Sequence, residues 1–415
     1  MIQVQLPLAD KRARLNALNG IKVLDLSTSV AGPYGCQLLA DFGAEVVKIE
    51  KPNGGDDSRA WGPPFLDGQS LWYLSVNRNK SSVVIDMTSE QGQALLHRLA
   101  KEADILVTNF LPKLQTKLKV DYNTLKQVNP KLIHMSLTGF GLEGERSSFP
   151  CYDLIAEGYS GVMDMTGEAD QEPQKVGTPA ADLLAGMDLA LAAMAAVIQR
   201  HQDGKGHSVD IAMIDSMTRF MAPRLSSYLG SGILPRRDGA KDSVIAIYQV
   251  FQTADEPITL GLGNDAIWKR FWNALENDSF ITDPKYASNT DRRTYRKELV
   301  QEIQKRLLNK PRTHWLELFQ SSGIPAGPIN RLDQISSDPE MHRRGMFYEV
   351  ERDGRRIPQV GLGIQIDRET SFCEQPPPRL AEDTQAILEK WLGMTTSDIA
   401  ELENTNVIQT FNSSN

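Results

Sequence analysis

Three short segments have residue types and spacings that could bind a phosphate or supply a nucleophile. The first is GFGLEG at 139–144, which has the GxGxxG spacing of a dinucleotide-binding turn. Such a turn needs a helix that opens within the motif, so that the helix N-terminus can meet the pyrophosphate. Here ERSSFPCYD follows, with charge and proline but no helical period. The segment therefore predicts a turn rather than a nucleotide site.

The second segment is STSVAGPYG, which joins a predicted strand to a predicted helix. Gly32 and Gly35, beside Ala31, would let the backbone come close to a ligand, and Pro33 suits the first position of a helix. The same small residues would also allow the helix to pack tightly on the strand. The residues alone leave both interpretations open.

The third segment is VGTPAADLLAG, in which Asp182 stands at the start of an Ala-rich, apolar helix. One interpretation is an N-cap, whose side chain accepts a hydrogen bond from a backbone N–H two or three residues on. The other is a carboxylate nucleophile, held among small neighbours so that a bulky acyl thioester can reach it. The residues alone favour the cap, and context must decide between the two.

Composition limits the classes of function that these segments can serve. A chain of 415 residues exceeds what one hydrophobic core usually serves, so two domains are expected. The net charge of -8 and the pI near 5.4 argue against nonspecific binding to nucleic acid or to an anionic membrane. No metal site is predicted, because neither HxxxH nor HExxH spacing occurs among His97, His134, His201, His207, His314 and His342.

Cysteine usage and the N-terminus indicate where the protein works. Cys36, Cys151 and Cys373 are far apart and form no CxxC pair, so neither a disulfide framework nor a cysteine zinc site is expected. The first 20 residues lack a continuous apolar region, and no later stretch is expected to be long enough to span a bilayer. The expected location is the cytoplasm.

The elements that must position these residues alternate between strand and helix in the first half of the chain. Strands are predicted at 21–27, which is a short apolar run, and at 44–51, 82–87, 103–110 and 131–140, with an amphipathic helix at 91–103 between two of them. Nearly continuous apolar strands separated by helices are typical of a parallel, doubly wound sheet covered on both faces. The predicted fold class is therefore α/β.

The second half reads as a long helix, a strand and a smaller α/β unit. The helix runs from Asp182 to the DGKG at 203–206 and is followed by a strand at 207–216, a hairpin near 244–263, helices over roughly 264–322, strands around 346–366 and a final helix near 381–393. The expected domain organisation is an N-terminal arm at 1–19, a large domain at 20–205, a linker at 206–229, a small domain at 230–330, and a linker with return to the large domain at 331–415.

The order of several sequence blocks resembles a known family. They are LDLSTSVAGPYGCQLLADFGAEVVKIEKPNGGDDSRAWGPP and YLSVNRNKSSVVIDM, then ADILVTNFLP, LTGFGLEG, CYDLIAEGYSGVMDMTG, PAADLLAG with GKGHSVDIAM, and GIPAGPIN with DPEMHRRGMF. This order is similar to the class III CoA-transferases, which include formyl-CoA and carnitine CoA-transferases, over about residues 20–395. The stretch GDDSRAWGPPF with YLSVNRNK is most similar to the branch that handles succinyl-CoA and other dicarboxylates.

The resemblance implies a fold and an assembly. A large Rossmann-like domain would form from the N-terminal half and the returning C-terminal segment, with a smaller α/β domain between them. Two chains would thread through each other as interlocked rings, which makes a homodimer. Acyl-CoA and a carboxylic acid would be the partners, as substrates, with no permanently bound cofactor.

The resemblance also implies the chemistry. The family's catalytic aspartate falls on Asp182, whose carboxylate would attack the acyl-CoA carbonyl and form a mixed anhydride and free CoA thiolate. The thiolate would then attack the aspartyl carbonyl and form an enzyme thioester, while the first acid leaves. The acceptor carboxylate would repeat these steps in reverse. Acyl derivatives of a carboxylate keep the energy of the thioester, so no ATP is required.

The family's CoA contacts fall on residues near the predicted strand ends. They are Val30, Ala31, Lys51, Ile85, Asp86, Met87, Thr88, Asn109, Phe110, Leu111, Lys117 and Tyr152. The phosphates of CoA favour cations, although Lys51 and Lys117 could equally be solvated surface lysines. Arg78 and Lys80 could add positive field near CoA or serve only in salt bridges.

Departures from the family pattern bear on the substrate. Val30 stands where formyl-CoA transferases carry a glutamine, and their multi-glycine loop has only the rough counterpart GSGILPRRDGAKD. Oxalate and formate are therefore not expected as substrates. Arg236 and Arg237 could meet the far carboxylate of a longer diacid, or belong to a plain surface loop.

Two other functions remain as alternatives. A racemase or epimerase of 2-methylacyl-CoA thioesters would have the same fold, but that branch carries a histidine in a GHD motif where this chain has CYD, with Tyr152 in the histidine's place. A non-catalytic CoA-binding protein is the third interpretation, and the intact context of Asp182 counts against it.

Overall fold

The structure is a computed structural model that describes residues 6–9, 15–372 and 375–411. Cys373 and parts of the predicted N-terminal arm lie outside the described residues. The strands are β1 Lys22–Asp25, β2 Glu45–Glu50, β3 Phe65–Leu66, β4 Gln69–Ser70, β5 Lys80–Ile85, β6 Ile105–Thr108, β7 Ile133–Thr138, β8 Ser208–Ala212, β9 Tyr248–Phe251, β10 Ile258–Gly261, β11 Ala326–Pro328, β12 Phe347–Arg352, β13 Arg355–Val360 and β14 Ile408–Gln409.

Helices connect these strands and cover the sheets. They are α1 Ala31–Asp41, α2 Leu71–Ser75, α3 Glu90–Glu102, α4 Pro112–Lys117, α5 Tyr122–Val128, α6 Asp153–Ser160, α7 Val162–Met165, α8 Ala180–Asp203, α9 Met213–Phe220, α10 Ala222–Ser231, α11 Asp265–Ala274, α12 Ser279–Thr282, α13 Asn289–Thr294, α14 Arg296–Leu307, α15 Arg312–Ser321, α16 Leu332–Ser336, α17 Pro339–Arg343, α18 Thr384–Leu392 and α19 Thr396–Asn404.

A seven-stranded sheet forms the centre of the first compact unit. Its order is β14-β5-β2-β1-β6-β7-β8, and every pair is parallel except β14 with β5. Without the small β3–β4 hairpin, the parallel strands follow the order 3-2-1-4-5-6 of a doubly wound nucleotide-binding sheet. The predicted α/β class with a parallel sheet is confirmed.

The apolar strands form this sheet because both of its faces are covered. Leu24, Val47, Ile85 and Leu106 are buried in one core cluster with residues of the flanking helices. The side chain of Ser89 caps α3 by accepting a hydrogen bond from Gly92 N at 3.0 Å. Because β1, β2 and β5 to β8 are parallel, their carboxyl ends lie at the same edge of the sheet.

The strand order reverses between β1 and β6, and this reversal opens a crevice at that edge. Asn109, just after β6, spans the crevice: its Oδ1 accepts from Thr28 N at 3.1 Å, and its Nδ2 donates to Thr28 O at 2.9 Å. In open α/β sheets, ligands bind at such a switch point, outside the carboxyl ends of the strands. A ligand site is therefore expected at the loops after β1 and β6.

Helix α8 packs closely on α1 through small residues. A Cβ atom on Gly35 would lie 2.8 Å from Gly186 O, and one on Gly186 would lie 2.6 Å from Ala31 O. A Cβ atom on Gly32 would lie 2.3 Å from the Cβ atom of Ser27. Of the two interpretations of the first turn, tight packing accounts for Gly32 and Gly35.

The chain divides into two compact units. The first contains residues 1–162, 175–226 and 336–415, and the second contains 163–174 and 227–335. In the second unit β9, β10 and β11 form an antiparallel sheet whose core includes Trp268 and Trp272. The β9–β10 pairing is the hairpin that the sequence predicts.

Helix α8 corrects one expectation from the sequence. It has 24 residues and a mean hydropathy of 1.8 in its most apolar window, so by length and composition it could span a membrane. The expectation that no stretch reaches that length was wrong. A buried core helix meets the same criterion, and α8 buries Ala181, Ala185, Leu189 and Ala193.

Candidate active site

Asp182 lies in the first turn of α8 and does not cap it. The residue before the helix is Pro179, which supplies no side-chain cap. Instead, Asp153 at the start of α6 reaches the helix end, and its Oδ1 accepts from Ala181 N at 2.8 Å and Asp182 N at 3.3 Å. The N-cap interpretation of Asp182 is therefore wrong. Among the described residues, no donor forms a hydrogen bond to the carboxylate of Asp182, which leaves that group free for a ligand.

Asp182 faces a cavity of about 300 Å³ at the switch point of the sheet. The walls come from the loops after β1, β2, β6 and β7 and from the start of α6. The lining residues are Thr28, Ser29, Ala31, Asp57, Trp61, Asn109, Phe110, Leu111, Leu114, Leu137, Thr138, Gly139, Pro150, Cys151, Tyr152, Asp182 and Met213. The structure thus brings together six residues that the sequence singled out, namely Ala31, Asn109, Phe110, Leu111, Tyr152 and Asp182.

The cavity changes the acidity of the groups that it holds. Burial, and secondarily the negative charge of Asp153, raise the pKa of Asp182 from its ordinary 3.8 to about 7. Burial and the neighbouring Asp182 raise the pKa of the Cys151 thiol to about 11. At neutral pH the thiol is therefore protonated, while Asp182 is close to its titration midpoint. Of these two groups, only the carboxylate has the acidity of a nucleophile.

The raised pKa of Asp182 predicts a pH-dependent cost in stability. The folded protein binds this proton more tightly than the unfolded chain does, so proton binding stabilises the fold. This stabilisation is fully present below about pH 4 and is lost as the pH rises through about 7. An Asp182→Asn variant, which cannot ionise, should therefore be more stable than the wild type at pH 8. Since a pKa difference of one corresponds to about 1.4 kcal/mol, we expect a gain on the order of 4 kcal/mol.

Urea titrations at pH 8 and pH 5 measure this difference. The gain should shrink at pH 5, where Asp182 is already protonated in the folded protein. An equal gain at both values would mean that the carboxyl titrates near its ordinary pKa.

Several predicted CoA contacts lie outside this cavity. Val30 precedes α1 and lines a neighbouring cavity of about 510 Å³ with Tyr34, Trp72 and Leu183. Lys51 is exposed and lies 2.5 Å from the cavity residue Asp57. These positions leave Val30 and Lys51 beside the cavity rather than in its wall.

The predicted CoA contacts at the ends of β5 and α4 also lie outside the cavity wall. Ile85 is fully buried in the sheet, and Met87 belongs to the core beside it. The carboxylate of Asp86 accepts from Thr88 N at 3.0 Å and from Thr88 Oγ1 at 2.6 Å, which closes a local turn. Lys117 is exposed in the last turn of α4. Any contact of these residues with CoA must involve a part of the ligand outside the cavity.

The cations of the NRNK segment serve in salt bridges. Arg78 Nη2 lies 2.6 Å from Asp41 Oδ2, and Lys80 Nζ lies 2.9 Å from Asp25 Oδ2. All four side chains are almost completely buried. Of the two interpretations of Arg78 and Lys80, the structural one is favoured, because a buried and neutralised cation contributes little field to a ligand.

The two candidate substrate arginines lie in the second unit. Arg236 is exposed. Arg237 Nε donates to Gln171 O at 2.8 Å and its Nη1 donates to Asp164 O at 2.9 Å. The guanidinium of Arg237 is therefore already engaged by its own unit.

The GxGxxG segment forms a turn, as the sequence predicts. Gly141 N donates to Thr138 Oγ1 at 2.9 Å, and Leu142 N donates to Asp210 Oδ2 at 2.9 Å. The next helix, α6, begins only at Asp153. Across residues 6–9, 15–372 and 375–411, no group of three or more His, Cys, Asp or Glu side chains is arranged to hold a metal ion.

Sequence reasoning missed three residues that shape the site. Asp57 and Trp61 line the cavity, and Asp153 caps the helix that carries Asp182. Asp57 and Trp61 belong to the GDDSRAW block, and Asp153 follows Tyr152 in CYD, so both blocks carried a signal. The roles of Asp57, Trp61 and Asp153 depend on contacts between distant parts of the chain, which the sequence does not show.

Comparison with known proteins gives matches over most of this chain. The model of a family described as CoA-transferase family III matches residues 18–384. A succinate–glutarate CoA-transferase of Agrobacterium fabrum is 38% identical over 388 residues, which are 92% of this chain and 97% of that protein. A human succinyl-CoA:glutarate CoA-transferase is 33% identical over 395 residues, or 95% of this chain and 90% of that protein.

A solved structure shares the fold. The crystal structure of a CAIB/BAIF family protein from Brucella suis superposes with a TM-score of 0.80 at 34% sequence identity. The match covers 91% of this chain and 100% of that chain. The likeness extends over almost the whole length of both proteins.

Proposed function

This chain belongs to CoA-transferase family III, and we propose that it moves CoA from succinyl-CoA or a similar acyl-CoA to a dicarboxylic acid, with Asp182 as the covalent nucleophile. The observation that carries this proposal is the position of Asp182. Its carboxylate faces the switch-point cavity and accepts no hydrogen bond from the described residues, since Asp153 caps α8 in its place. The relatives that act on succinyl-CoA and glutarate support the choice of substrate class.

The proposed reaction needs only the carboxylate of Asp182, CoA and the donor and acceptor acids. Asp182 attacks the thioester carbonyl, and CoA leaves as thiolate, which gives a mixed anhydride. The thiolate attacks the aspartyl carbonyl, releases the donor acid and forms an aspartyl-CoA thioester. The acceptor carboxylate attacks that thioester and expels the thiolate, which then takes the new acyl group and restores Asp182. No permanently bound cofactor is needed, because each intermediate keeps the energy of a thioester.

The cavity supports this chemistry in two ways. Burial raises the pKa of Asp182, so the ionised form is poorly solvated and correspondingly reactive. The apolar walls from Phe110, Leu111 and Met213 limit the entry of water that would hydrolyse the anhydride. We place the thioester in this cavity, near Ala31 and Asn109, with Lys51 and Lys117 available to the phosphates of CoA outside it.

The rival chemistry on this fold is racemisation of a 2-methylacyl-CoA. It must remove the proton α to the thioester and return it on the opposite face. Tyr152 stands where the racemases carry histidine and is 69% exposed. The replacement of the histidine imidazole by a phenol removes the base that this reaction requires, which counts against racemisation.

An isotope experiment separates the functions in one tube. Purified protein is incubated in D₂O with succinyl-CoA and ¹³C-labelled glutarate, and the products are read by mass spectrometry. We expect the label to enter the thioester pool and no deuterium to appear at the α-carbon above the uncatalysed background. All bond changes in transfer occur at the carbonyl, which leaves the α-proton untouched.

The other outcomes contradict the proposal in different ways. Deuterium uptake without exchange of acids would assign racemase chemistry to this site. If neither signal appears with any acyl-CoA and acid in a panel of dicarboxylates and monocarboxylates, a non-catalytic CoA-binding function replaces the proposal.

We propose that the protein works as a homodimer in the cytoplasm. Large apolar side chains on α6 and α8, namely Leu154, Ile155, Tyr159, Met187 and Leu191, are between 42% and 60% exposed in the single chain. A surface of this kind favours burial against a second copy. The free thiols of Cys36 and Cys151 are compatible with a reducing compartment.

A further inference from the structure

Four buried charged side chains lie beneath the loop that follows β1. Lys48 and Asp56 form one pair, with 2.8 Å between Lys48 Nζ and Asp56 Oδ2, and both side chains are fully buried. Asp25 and Lys80 form the second pair, also fully buried. The chemistry proposed above uses none of these groups. Buried ion pairs are costly to form, so the contacts that they make beyond each other indicate what they do.

Each of these side chains reaches the backbone between Ser27 and Pro33. Lys48 Nζ donates to Ser27 O at 2.7 Å, and Lys80 Nζ donates to Pro33 O at 2.8 Å. Asp25 Oδ1 accepts from Ser27 N at 3.0 Å. Charged hydrogen bonds from buried side chains therefore fix the backbone of the loop before α1 and of the first turn of α1. Such bonds are stronger than neutral ones.

Asp56 connects two walls of the cavity. Its Oδ1 accepts from Ser29 N at 3.0 Å and from Ser58 N at 2.9 Å. Ser29 belongs to the wall from the loop after β1, while Asp57, next to Asp56, belongs to the wall from the loop after β2. One carboxylate thus fixes the relative position of both loops.

The backbone at Ser29 needs such a contact. Its φ is +72°, in the left-handed region that residues other than glycine adopt only at a cost. Burial alone would raise the pKa of Asp56, but the charge of Lys48 and the N–H groups of Ser58 and Ser29 lower it to about 2. At neutral pH the carboxylate of Asp56 is therefore ionised, the form that accepts the hydrogen bond from Ser29 N.

We infer that Asp56, anchored by Lys48, is a positioning residue that holds the left-handed backbone at Ser29 and thereby shapes the CoA-binding cavity. This inference rests on the proposed function only where it assigns CoA to the cavity. Asp56 does not line the cavity, so it acts through Ser29 and Asp57.

Two measurements on an Asp56→Asn variant test the inference. Hydrogen-exchange mass spectrometry should show faster exchange in peptides covering 26–31, while the central strands β6 and β7 stay protected. The Kd for CoA, measured by calorimetry, should rise at least tenfold. The exchange measurement needs no bound CoA, so it judges the positioning role even if the proposed function fails.

A matched control separates positioning from general destabilisation. Asp41→Asn disturbs a similarly buried ion pair, with Arg78, at the end of α1 opposite to Ser29. It should leave the exchange of 26–31 and the Kd for CoA within twofold of the wild type. If Asp41→Asn and Asp56→Asn have the same effects, or if exchange at 26–31 does not change in Asp56→Asn, the inference is overturned.

A rescue variant gives a third criterion that a merely structural role would not satisfy. Glycine adopts a positive φ without strain, so Ser29→Gly lowers the need for the hydrogen bond from Asp56. In the Asp56→Asn background, Ser29→Gly should lower the Kd for CoA at least threefold. No recovery would mean that Asp56 does not act through the backbone at Ser29.

Discussion

An Asp182→Ala variant is expected to lose CoA transfer by at least about a thousandfold, or about 4 kcal/mol of transition-state stabilisation, while it still binds CoA. The loss is large because no neighbouring group can replace the carboxylate. The Cys151 thiol is protonated at neutral pH, since burial and Asp182 raise its pKa to about 11. Asp153 is occupied by the backbone N–H groups of Ala181 and Asp182.

Initial rates of labelled-acid exchange and CoA calorimetry measure the two halves of this prediction. The variant removes an ionisable group that burial disfavours, so we expect it to stay folded at neutral pH, which urea unfolding of the variant checks. Hydroxylamine should trap an acyl hydroxamate at residue 182 of the wild type and none in the variant.

Asp188→Asn is the matched control for this prediction. Asp188 lies on the same helix, where it accepts from Ser216 Oγ at 2.6 Å and pairs with Arg219. This variant should keep transfer within a few-fold of the wild type. If Asp182→Ala keeps a tenth of the activity, Asp182 is not the nucleophile.

The second large effect is on stability and concerns Lys80. Replacing it by methionine should lower the free energy of unfolding by about 3–5 kcal/mol, the usual cost of leaving one partner of a buried pair uncompensated. Asp25 would lose its ion-pair partner at 0% exposure, and Asn77 and Pro33 would lose a shared donor. Urea unfolding followed by tryptophan fluorescence measures the loss.

The exposed pair of Lys51 and Asp57 provides the control. Its side chains are 57% and 65% exposed, and exposed ion pairs contribute little because water and salt screen them. Lys51→Met should therefore unfold at the urea concentration of the wild type. Equal stability of Lys80→Met and Lys51→Met would place Lys80 in a solvated site, contrary to the structure. A double variant with Asp25→Asn should lose less than the sum of the single losses, since the two groups interact directly.

The parallel sheet could be predicted from the sequence because its strands are buried on both faces. The run at 103–110 is largely apolar, while the run at 44–51 has an apolar centre of Val46, Val47 and Ile49 among charged residues, and helices with a clear period separate such strands. The predicted helix at 91–103 differs from α3 by one residue at each end. Strand β14 was missed because two residues carry no period, and it pairs with β5 only through the tertiary fold.

The site was predictable in its parts but not in its contacts. The resemblance to the class III CoA-transferases indicated Asp182 and the CoA contacts, whereas the residues around Asp182 taken alone favoured an N-cap. That Asp153 caps α8 could not be predicted, because residues 28 positions apart in the chain meet only after folding. For the same reason the sequence could not decide whether Arg78 and Lys80 face a ligand or a buried carboxylate.

The close contact of Gly35 with Gly186 couples the two helices that begin at the site. Ala31 starts one of them and Asp182 lies in the first turn of the other, so a shift of one helix moves a wall of the cavity and the Asp182 carboxylate together. Mutagenesis that aims at a new acid should vary the loops after β6 and β7 and leave both glycines intact. A methyl group added at either glycine would meet the backbone of the other helix, so it would push the two helices apart and displace the Asp182 carboxylate from the cavity wall.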